Sequence, residues 1–278
     1  MDMRHLLRLA SLASALLVSA CAVLPAGPVA TAPVAMALQP SVEARAALAP
    51  TGHLRVGVYA GSPTSLVRQP RTGERAGMAL ELGQLLAQQL GVPVQVQEYA
   101  RVAEVIEALK REQVDMTFTN ASPARARDVR FTRPLVQLEL GLLLPPQSPV
   151  TRFAQVDRAG LRVGVSQGSS SQGVLSQQLK LAQVVPVVSL DVAQQMLRGG
   201  QLDAFATNKG ILFEMREKLP DFTVSDDRWG LENLAIAVPK GRDAGQAFLD
   251  AFADQVTRTG QLAAMAQRAG LRGLAKSE

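Results

Sequence analysis

The spacing of hydrophobic positions changes repeatedly along the chain, and these changes predict strands that alternate with helices. Leu54–Tyr59 is a short run of β-favouring residues, whereas Met78–Leu90 places its leucines at helical spacing. Val94–Tyr99 alternates like a strand, Val102–Arg111 has one apolar helical face, and Met116–Thr119 predicts the next strand. This β-α-β-α-β order predicts an α/β fold with a mainly parallel sheet flanked by helices.

The second half of the chain repeats this plan. Leu161-Arg162-Val163-Gly164-Val165 matches Leu54-Arg55-Val56-Gly57-Val58, and a serine-rich turn and a helical run follow it. The strands and helices predicted after that helix are Val184–Val188, Val192–Leu197, Ala204–Thr207 and Ile211–Leu219. Two such units in one chain predict a two-lobed protein with a cleft between the lobes.

Two further apolar runs connect the predicted lobes, near residues 138–144 and 230–236. The amphipathic helices predicted at Ala244–Thr259 and Gln261–Ala269 return the chain to the first lobe. We therefore predict a double hinge of the kind used for closure around a ligand. The predicted division assigns residues 51–138 plus 236–278 to lobe 1 and residues 139–235 to lobe 2.

The N-terminal segment predicts export. Residues 1–20 combine a basic start with an apolar run too short to span a bilayer, which is typical of a signal peptide. Val18-Ser19-Ala20-Cys21 resembles a bacterial lipobox, which implies cleavage before Cys21 and a lipid anchor on its sulfur. The alternative is an ordinary signal peptide cut elsewhere, for example near Ala35-Met36-Ala37. Residues 21–50, rich in Ala, Pro and Val, predict a flexible tether.

Composition excludes several classes of function. The 278 residues contain one cysteine and two histidines, so a Cys/His zinc site is excluded. The net charge of +5 comes from scattered rather than clustered basic residues, and only 4% of residues are aromatic, so nucleic-acid binding is not expected. No cofactor motif is present, and we predict no metal and no cofactor.

The strongest candidate for chemistry is the stretch from Met116 to Pro134. A buried strand ends there in Thr119 and Asn120, and Ser122 then introduces a short helix that carries Arg125. Open α/β sheets bind ligands beyond the carboxyl ends of their strands, and a guanidinium offers a planar fork for a carboxylate or phosphate. Three nearby arginines are predicted to face water instead: Arg127, Arg130 and Arg133.

From about Gly52 to Leu271 the chain resembles the extracellular solute-binding proteins of family 3, the amino-acid-type periplasmic binding proteins of ABC importers. The runs that carry the resemblance include Leu54–Val58, Gly77–Gly91, Val105–Met116, Ser122–Arg125, Val129–Pro134, Leu161–Ser169 and Gly199–Asn208. The resemblance implies a type II periplasmic binding fold with a ligand held between two closing lobes.

The family pattern implies roles for individual residues. Ser122 and Arg125 match the turn whose arginine grips a ligand carboxylate, while Gly168, Ser169 and Ser170 match a turn that offers N–H groups and hydroxyls at a helix N-terminus. Asn208 stands where the family often has the aspartate that holds an ammonium. That departure makes the carboxylate the better-supported half of the ligand.

A second departure concerns the turn after the first strand, where the family often has an aromatic residue. Here Ser62 begins a serine-rich turn, so the aromatic contact is predicted to be missing or to come from Tyr59. The ten residues predicted to contact the ligand are Tyr59, Ser62, Thr119, Asn120, Ser122, Arg125, Gly168, Ser169, Ser170 and Asn208. Glu139 and Glu232 are candidates for the missing negative charge, although solvated hinge residues are the expected outcome. Trp229 is expected to pack under the hinge.

We therefore predict the substrate-binding component of an ABC importer, a lipid-anchored, monomeric, non-enzymatic protein that delivers a carboxylate-bearing solute to a permease in the inner membrane. One alternative is a periplasmic lyase similar to cyclohexadienyl dehydratase, which needs a carboxylic acid poised in the cleft. Another is a sensor or interaction protein without a transport role. The residues do not identify the solute.

Overall fold

The computed structural model describes residues 38–69 and 72–275 and has an α/β architecture. The predicted signal peptide, the lipobox cysteine Cys21 and residues 22–37 of the predicted tether lie outside the described residues. Within the described part, no helix combines the length and the apolar character needed to cross a membrane. No group of three or more His, Cys, Asp or Glu side chains suited to a metal ion occurs there either.

The elements before the first crossing largely follow the predicted boundaries. In chain order they are α1 (Val42–Leu48), β1 (Leu54–Tyr59), β2 (Val67–Arg68), β3 (Arg75–Ala76), α2 (Met78–Leu90), β4 (Val94–Tyr99), α3 (Val102–Lys110), β5 (Thr117–Asn120), α4 (Pro123–Ala126) and β6 (Val129–Phe131). Strands β1 and β4 are parallel, and a parallel bridge joins Val56 to Met116. Helix α2 buries its leucines against β1 and β5, which forms the core of lobe 1.

The remaining elements form the second lobe and the return to the first. They are β7 (Val136–Leu144), β8 (Arg162–Ser166), α5 (Ser170–Gln178), β9 (Gln183–Val187), α6 (Leu190–Arg198), β10 (Ala204–Asn208), α7 (Lys209–Lys218), β11 (Thr223–Val224), β12 (Gly230–Pro239), α8 (Asp243–Arg258) and α9 (Gln261–Arg268). Strand β8 pairs in parallel with both β9 and β10. Helices α8 and α9 contribute to the same core as α2, as expected for a returning chain.

The two crossings are the antiparallel strands β7 and β12, and they lie in the middle of one eight-stranded sheet of order β5-β12-β7-β10-β8-β9, with β6 and β11 at its sides. Strand β12 pairs with β5 of the first lobe, and β7 pairs with β10 of the second. The sheet therefore passes without a break from one lobe to the other. The exact lobe boundaries predicted at 138/139 and 235/236 fall within these two strands and stay a prediction.

The sequence repeat corresponds to a repeated ion pair. The Asp115 carboxylate accepts hydrogen bonds from the backbone N–H of Arg55 at 2.9 Å and from its guanidinium at 2.8 and 2.9 Å. Asp203 accepts the same three bonds from Arg162, at 2.8, 2.9 and 2.8 Å. The two copies differ in burial, because the side chain of Asp115 is 1% exposed and that of Asp203 is 27% exposed.

The prediction of a tether over residues 21–50 is wrong for its final part. Helix α1 starts at the N-cap Ser41, whose hydroxyl accepts from the N–H of Ala44 at 3.1 Å. Ala44 and Leu48 are buried in the core of lobe 1, and α1 packs on α8. Two apolar residues one helical turn apart were sufficient to attach this segment to the folded protein.

A segment after α9 runs alongside the first crossing strand. The N–H of Glu139 donates to the carbonyl of Gly273 and the N–H of Ala275 to the carbonyl of Gln137, both at 2.9 Å. Arg272 reaches α7 of the second lobe, where its guanidinium contacts Glu217 at 2.8 Å and lies 4.7 Å from the ring centre of Phe213. We call residues 271–275 the C-terminal strap, because they contact both lobes.

Candidate functional site

A small cavity lies where the two lobes meet. Its walls include residues at the carboxyl ends of four strands: Tyr59 of β1, Asn120 of β5, Ser166 of β8 and Asn208 of β10. This is the edge at which open α/β sheets bind ligands. The cavity volume is about 30 Å³, which is room for about two waters. A larger solute requires the lobes to separate slightly further than in this conformation.

Arg125 is the buried cation of this cavity. It belongs to α4, whose N-cap Ser122 accepts from the N–H of Arg125 at 3.3 Å. The side chain turns inward, is 9% exposed, and donates to the Thr119 hydroxyl at 2.8 Å and to the Asn120 carbonyl at 3.4 Å. Burial lowers the pKa of Arg125 from its ordinary value, while the negative charge of Glu232 raises it. The guanidinium is thus held in place by hydrogen bonds, but its positive charge is only partly offset by Glu232.

Glu232 is the buried anion of the same cavity. It is 8% exposed and lies on β12, where Leu234 shares its face because side chains of a strand alternate. Within the described part of the chain, the one hydrogen-bond donor to its carboxylate is Asn208 Nδ2, at 2.9 Å. Burial raises the pKa of Glu232, whereas Arg125 and then Asn208 lower it. The expectation that Glu232 is a solvated hinge residue is therefore wrong.

The contacts of Asn208 explain why an amide suits the end of β10 better than a carboxylate. Its Oδ1 accepts from the N–H of Ile211 at 3.1 Å and caps α7, which leaves its Nδ2 to donate to Glu232. An aspartate at this position would cap the helix equally well but would place two carboxylates in contact. A negative charge therefore lies beside Asn208, on the crossing strand, and not at position 208 itself.

Arg125 and Glu232 interact electrostatically across the cavity without forming an ion pair in contact. Each influences the pKa of the other, yet the described hydrogen bonds of Arg125 go to Thr119 and Asn120, and the one to Glu232 comes from Asn208. A buried charge without a contacting counter-ion is costly, by several kcal/mol per ion. Two such charges on one cavity are complementary to a molecule that carries both signs.

Tyr59 supplies an aromatic wall from the end of β1. Burial raises the pKa of its hydroxyl, which donates to Ser62 Oγ at 3.3 Å, and Ser62 in turn lies 2.9 Å from Thr64 Oγ1. Thr64 lines the cavity, whereas Ser62 is fully buried behind Tyr59. Tyr59 is thus an aromatic side chain of the cavity lining, and its contact with a ligand stays a prediction. Ser62, predicted to contact the ligand, instead supports the tyrosine.

The serine turn of the second lobe reaches the cavity through Ser169 and Ser170. The Ser169 hydroxyl already caps α5 by accepting from Gln172, and the N–H of Gly168 donates to Gln172 Oε1 at 2.6 Å. Ser170 Oγ accepts from Asn120 Nδ2 at 3.1 Å, which is a hydrogen bond between the lobes. Two groups of the turn that was predicted to bind an anion, the Ser169 hydroxyl and the Gly168 N–H, are therefore already engaged in hydrogen bonds with Gln172.

The structure brings seven of the ten predicted ligand-binding residues to this cavity: Tyr59, Thr119, Asn120, Arg125, Ser169, Ser170 and Asn208. Ser62, Ser122 and Gly168 do not line it. Ser122 and Gly168 lie on an adjoining outer groove that also includes Arg125, Ser169 and Ser170. Gly168 has a positive φ of 73°, and a Cβ at this position would lie 2.6 Å from the Cβ of Ala103 in the opposite lobe.

The other predicted hinge residues lie away from the cavity. The Glu139 carboxylate contacts Lys209 Nζ at 2.8 Å and the Arg228 guanidinium at 3.5 Å. Trp229 stacks on Phe153 with ring centres 5.6 Å apart and donates to the Gly141 carbonyl at 3.0 Å. Trp229 therefore packs beneath the hinge, as predicted.

Sequence reasoning missed several residues of the cavity. Thr64, Arg101, Leu190, Thr207 and Ile211 all line it, although none was predicted to contact a ligand. For Arg101 and Leu190 a signal existed, since each lies shortly after a strand, at the start of a helix, on the predicted ligand-binding edge.

Residues 54–271 match the family described as bacterial extracellular solute-binding proteins, family 3. The solute receptor for L-cysteine of Neisseria gonorrhoeae has 22% identity and a TM-score of 0.73, with 84% of this chain and 99% of that one covered. A mutant of ArgBP from T. maritima has 20% identity and the same TM-score, with 82% and 99% covered.

An ancestral amino-acid-binding protein, a precursor of cyclohexadienyl dehydratase, has 22% identity and a TM-score of 0.68, with 78% of this chain and 95% of that one covered. A comparison with curated protein sequences found no significant match. The structural matches share the two-lobed type II periplasmic binding fold predicted from the sequence. Because the family match covers most of the chain, the protein belongs to the bacterial extracellular solute-binding proteins of family 3.

Proposed function

We propose that this protein binds an amino acid as a zwitterion and delivers it to an ABC permease. The observation that carries the proposal is the pair of buried, opposite charges on one cavity, Arg125 and Glu232, which do not contact each other. Arg125 would hold the carboxylate through charge-assisted hydrogen bonds, and Glu232 the ammonium. The negative charge that was uncertain at Asn208 is thereby supplied by its neighbour.

Closure of the lobes would couple binding to transport. The Asn120–Ser170 hydrogen bond and the contact of Gly168 with Ala103 form only when the lobes meet. A solute that contacts residues of both lobes stabilises that closed state by its difference in affinity for the two states. A permease that recognises the closed arrangement then receives a loaded protein, in line with the family to which the chain belongs.

Moving the carboxylate from position 232 to position 208 provides the decisive test. Glu232→Gln should abolish amino-acid binding in isothermal titration calorimetry, because it removes the partner of the ammonium. The double variant Asn208→Asp/Glu232→Gln retains one carboxylate and one amide at the same contact and should recover much of the affinity. If Glu232→Gln binds as the wild type does, the assignment of the ammonium to Glu232 is wrong.

A second candidate function follows from the same carboxyl group. A glutamic acid whose pKa is raised by burial in a cavity suits general acid catalysis, and one structural neighbour is a precursor of cyclohexadienyl dehydratase. Incubation with prephenate or arogenate would separate the candidates: unchanged substrate supports the binding function, and catalytic consumption that is lost in Glu232→Gln supports the lyase.

The family is described as extracellular, which supports a location in the periplasm. We propose further that Cys21 carries the lipid anchor and that the protein acts as a monomer. Cys21→Ser should release the protein from the membrane fraction if the lipobox is functional. Unchanged fractionation of that variant would support cleavage at another site instead.

A further inference from the structure

Arg101 lines the cavity, although it has no role in the clamp formed by Arg125 and Glu232. It follows β4 and occupies the N-cap position of α3 in an extended conformation, with φ −157° and ψ 164°. Its side chain makes no cap hydrogen bond with that helix. The guanidinium is therefore directed by other contacts.

Two groups hold one end of the guanidinium. Its Nη1 contacts Glu104 Oε1 at 2.7 Å and the carbonyl of Val188 at 3.4 Å, and Val188 belongs to the opposite lobe. The Nε–H is buried and has no hydrogen-bond partner in the described part of the chain. Leaving a buried donor unpaired costs about 1–3 kcal/mol, so an acceptor at this place would be favourable.

The charges on the cavity wall also favour an acceptor. A zwitterion uses Arg125 and Glu232, which leaves Arg101 as the third charged residue of the lining. Glu104 offsets part of its charge but does not line the cavity, and its side chain is 36% exposed. A cationic side chain entering the cavity would meet a like charge, and this repulsion opposes its binding.

We infer that Arg101 determines specificity by binding the side chain of the solute, and that this side chain carries a hydrogen-bond acceptor. The preferred solutes are short acidic or neutral polar amino acids, and lysine- or arginine-type solutes are excluded. A cavity with room for about two waters must widen to admit any amino acid, and a short side chain requires the least widening. This inference rests on the proposed function, because it assumes that the zwitterion occupies Arg125 and Glu232.

The test compares nearly isosteric amino acids by isothermal titration calorimetry. Aspartate and asparagine should bind the wild type about 5- to 150-fold more tightly than leucine, and ornithine should bind least. Arg101→Met should reduce that ratio towards one, while Arg101→Lys should retain part of the preference for aspartate. Since Arg101 also contacts the opposite lobe, Arg101→Met is expected to weaken every solute. The ratio between solutes isolates the role in specificity.

The possible outcomes separate the two proposals. Tightest binding of leucine or ornithine, or an unchanged ratio in Arg101→Met, would overturn the role of Arg101 while leaving the zwitterion clamp standing. Binding of no amino acid by the folded wild type would overturn both proposals. Leu231→Ala, a change at an exposed residue outside the cavity, serves as the control that should alter neither affinity nor ratio.

Discussion

Replacement of Arg125 by methionine tests whether this residue binds the solute or stabilises the fold. The guanidinium makes its described side-chain hydrogen bonds with Thr119 and Asn120, at 2.8 and 3.4 Å. Losing them should cost about 1 kcal/mol each, which is offset by no longer burying a cation. We therefore expect the free energy of unfolding of Arg125→Met to lie within about 2 kcal/mol of the wild type.

The effect on affinity should be much larger. Truncating one partner of a buried, hydrogen-bonded charge pair costs about 2–5 kcal/mol, so the dissociation constant for an amino acid should rise roughly 30- to 5,000-fold. The loss of Arg125 also removes a charge that lowers the pKa of Glu232, which further weakens binding of an ammonium. Titration calorimetry measures the affinity, and urea unfolding measures the stability of the same samples.

Arg127→Met is the matched control, since Arg127 is the exposed residue that ends the same short helix. It should leave both affinity and stability unchanged. If Arg125→Met binds the solute as tightly as this control, Arg125 does not hold the carboxylate. If Arg125→Met instead fails to fold, its role is structural and the separation of binding from stability is wrong.

Three further predictions follow from the geometry. Affinity for an amino acid should fall as the pH drops from neutral through the raised pKa of Glu232, and calorimetry at a series of pH values measures this dependence; a constant affinity over that range would contradict the role assigned to the carboxylate. Gly168→Ala should weaken binding about tenfold by opposing closure, since a Cβ there would lie 2.6 Å from Ala103; unaltered affinity would show that these residues separate in the bound state. Asp115→Asn should lower unfolding stability by about 3 kcal/mol, and Asp203→Asn by less than about 1 kcal/mol. Equal losses in urea unfolding would refute the role assigned to burial.

The raised pKa of Glu232 has an opposite effect on the stability of the solute-free protein. A carboxyl group whose pKa is raised by folding stabilises the fold below its ordinary pKa of 4.5, and this contribution is lost as the pH rises through the raised value. Acidification should thus strengthen the fold through this group while it weakens binding. The two effects have the same origin, which is a charge kept away from water.

The periodic patterns predicted the fold well because hydrophobic spacing is a local property. Helix α2 begins and ends at the predicted residues, and the sequence repeat at Leu161 predicted the alternating strands and helices of the second lobe. The same local signals could not show that β7 and β12 would join both lobes into one sheet. Strand pairing depends on contacts distant in sequence, which periodicity does not record.

Glu232 shows where sequence reasoning about the site failed. The second crossing was predicted near residues 230–236, but the pattern did not show which face of the strand would be buried, and β12 places Glu232 on the face it shares with Leu234. A glutamate in a hinge is normally solvated, so its type alone favoured the wrong interpretation. The buried carboxylate of Glu232 accepts a hydrogen bond from Asn208. These two residues meet because β12 and β10 lie on either side of β7 in the sheet, an arrangement that the sequence patterns did not predict.

The C-terminal strap implies that affinity can be adjusted without changing any residue of the cavity. Separation of the lobes would have to disturb the contact of Arg272 with Glu217 as well as the cleft itself. A substitution such as Arg272→Ala changes the population of the closed state, and the apparent dissociation constant scales with the inverse of that population. Natural variation in this segment can therefore set how readily the protein retains or releases its solute while leaving its choice of solute intact.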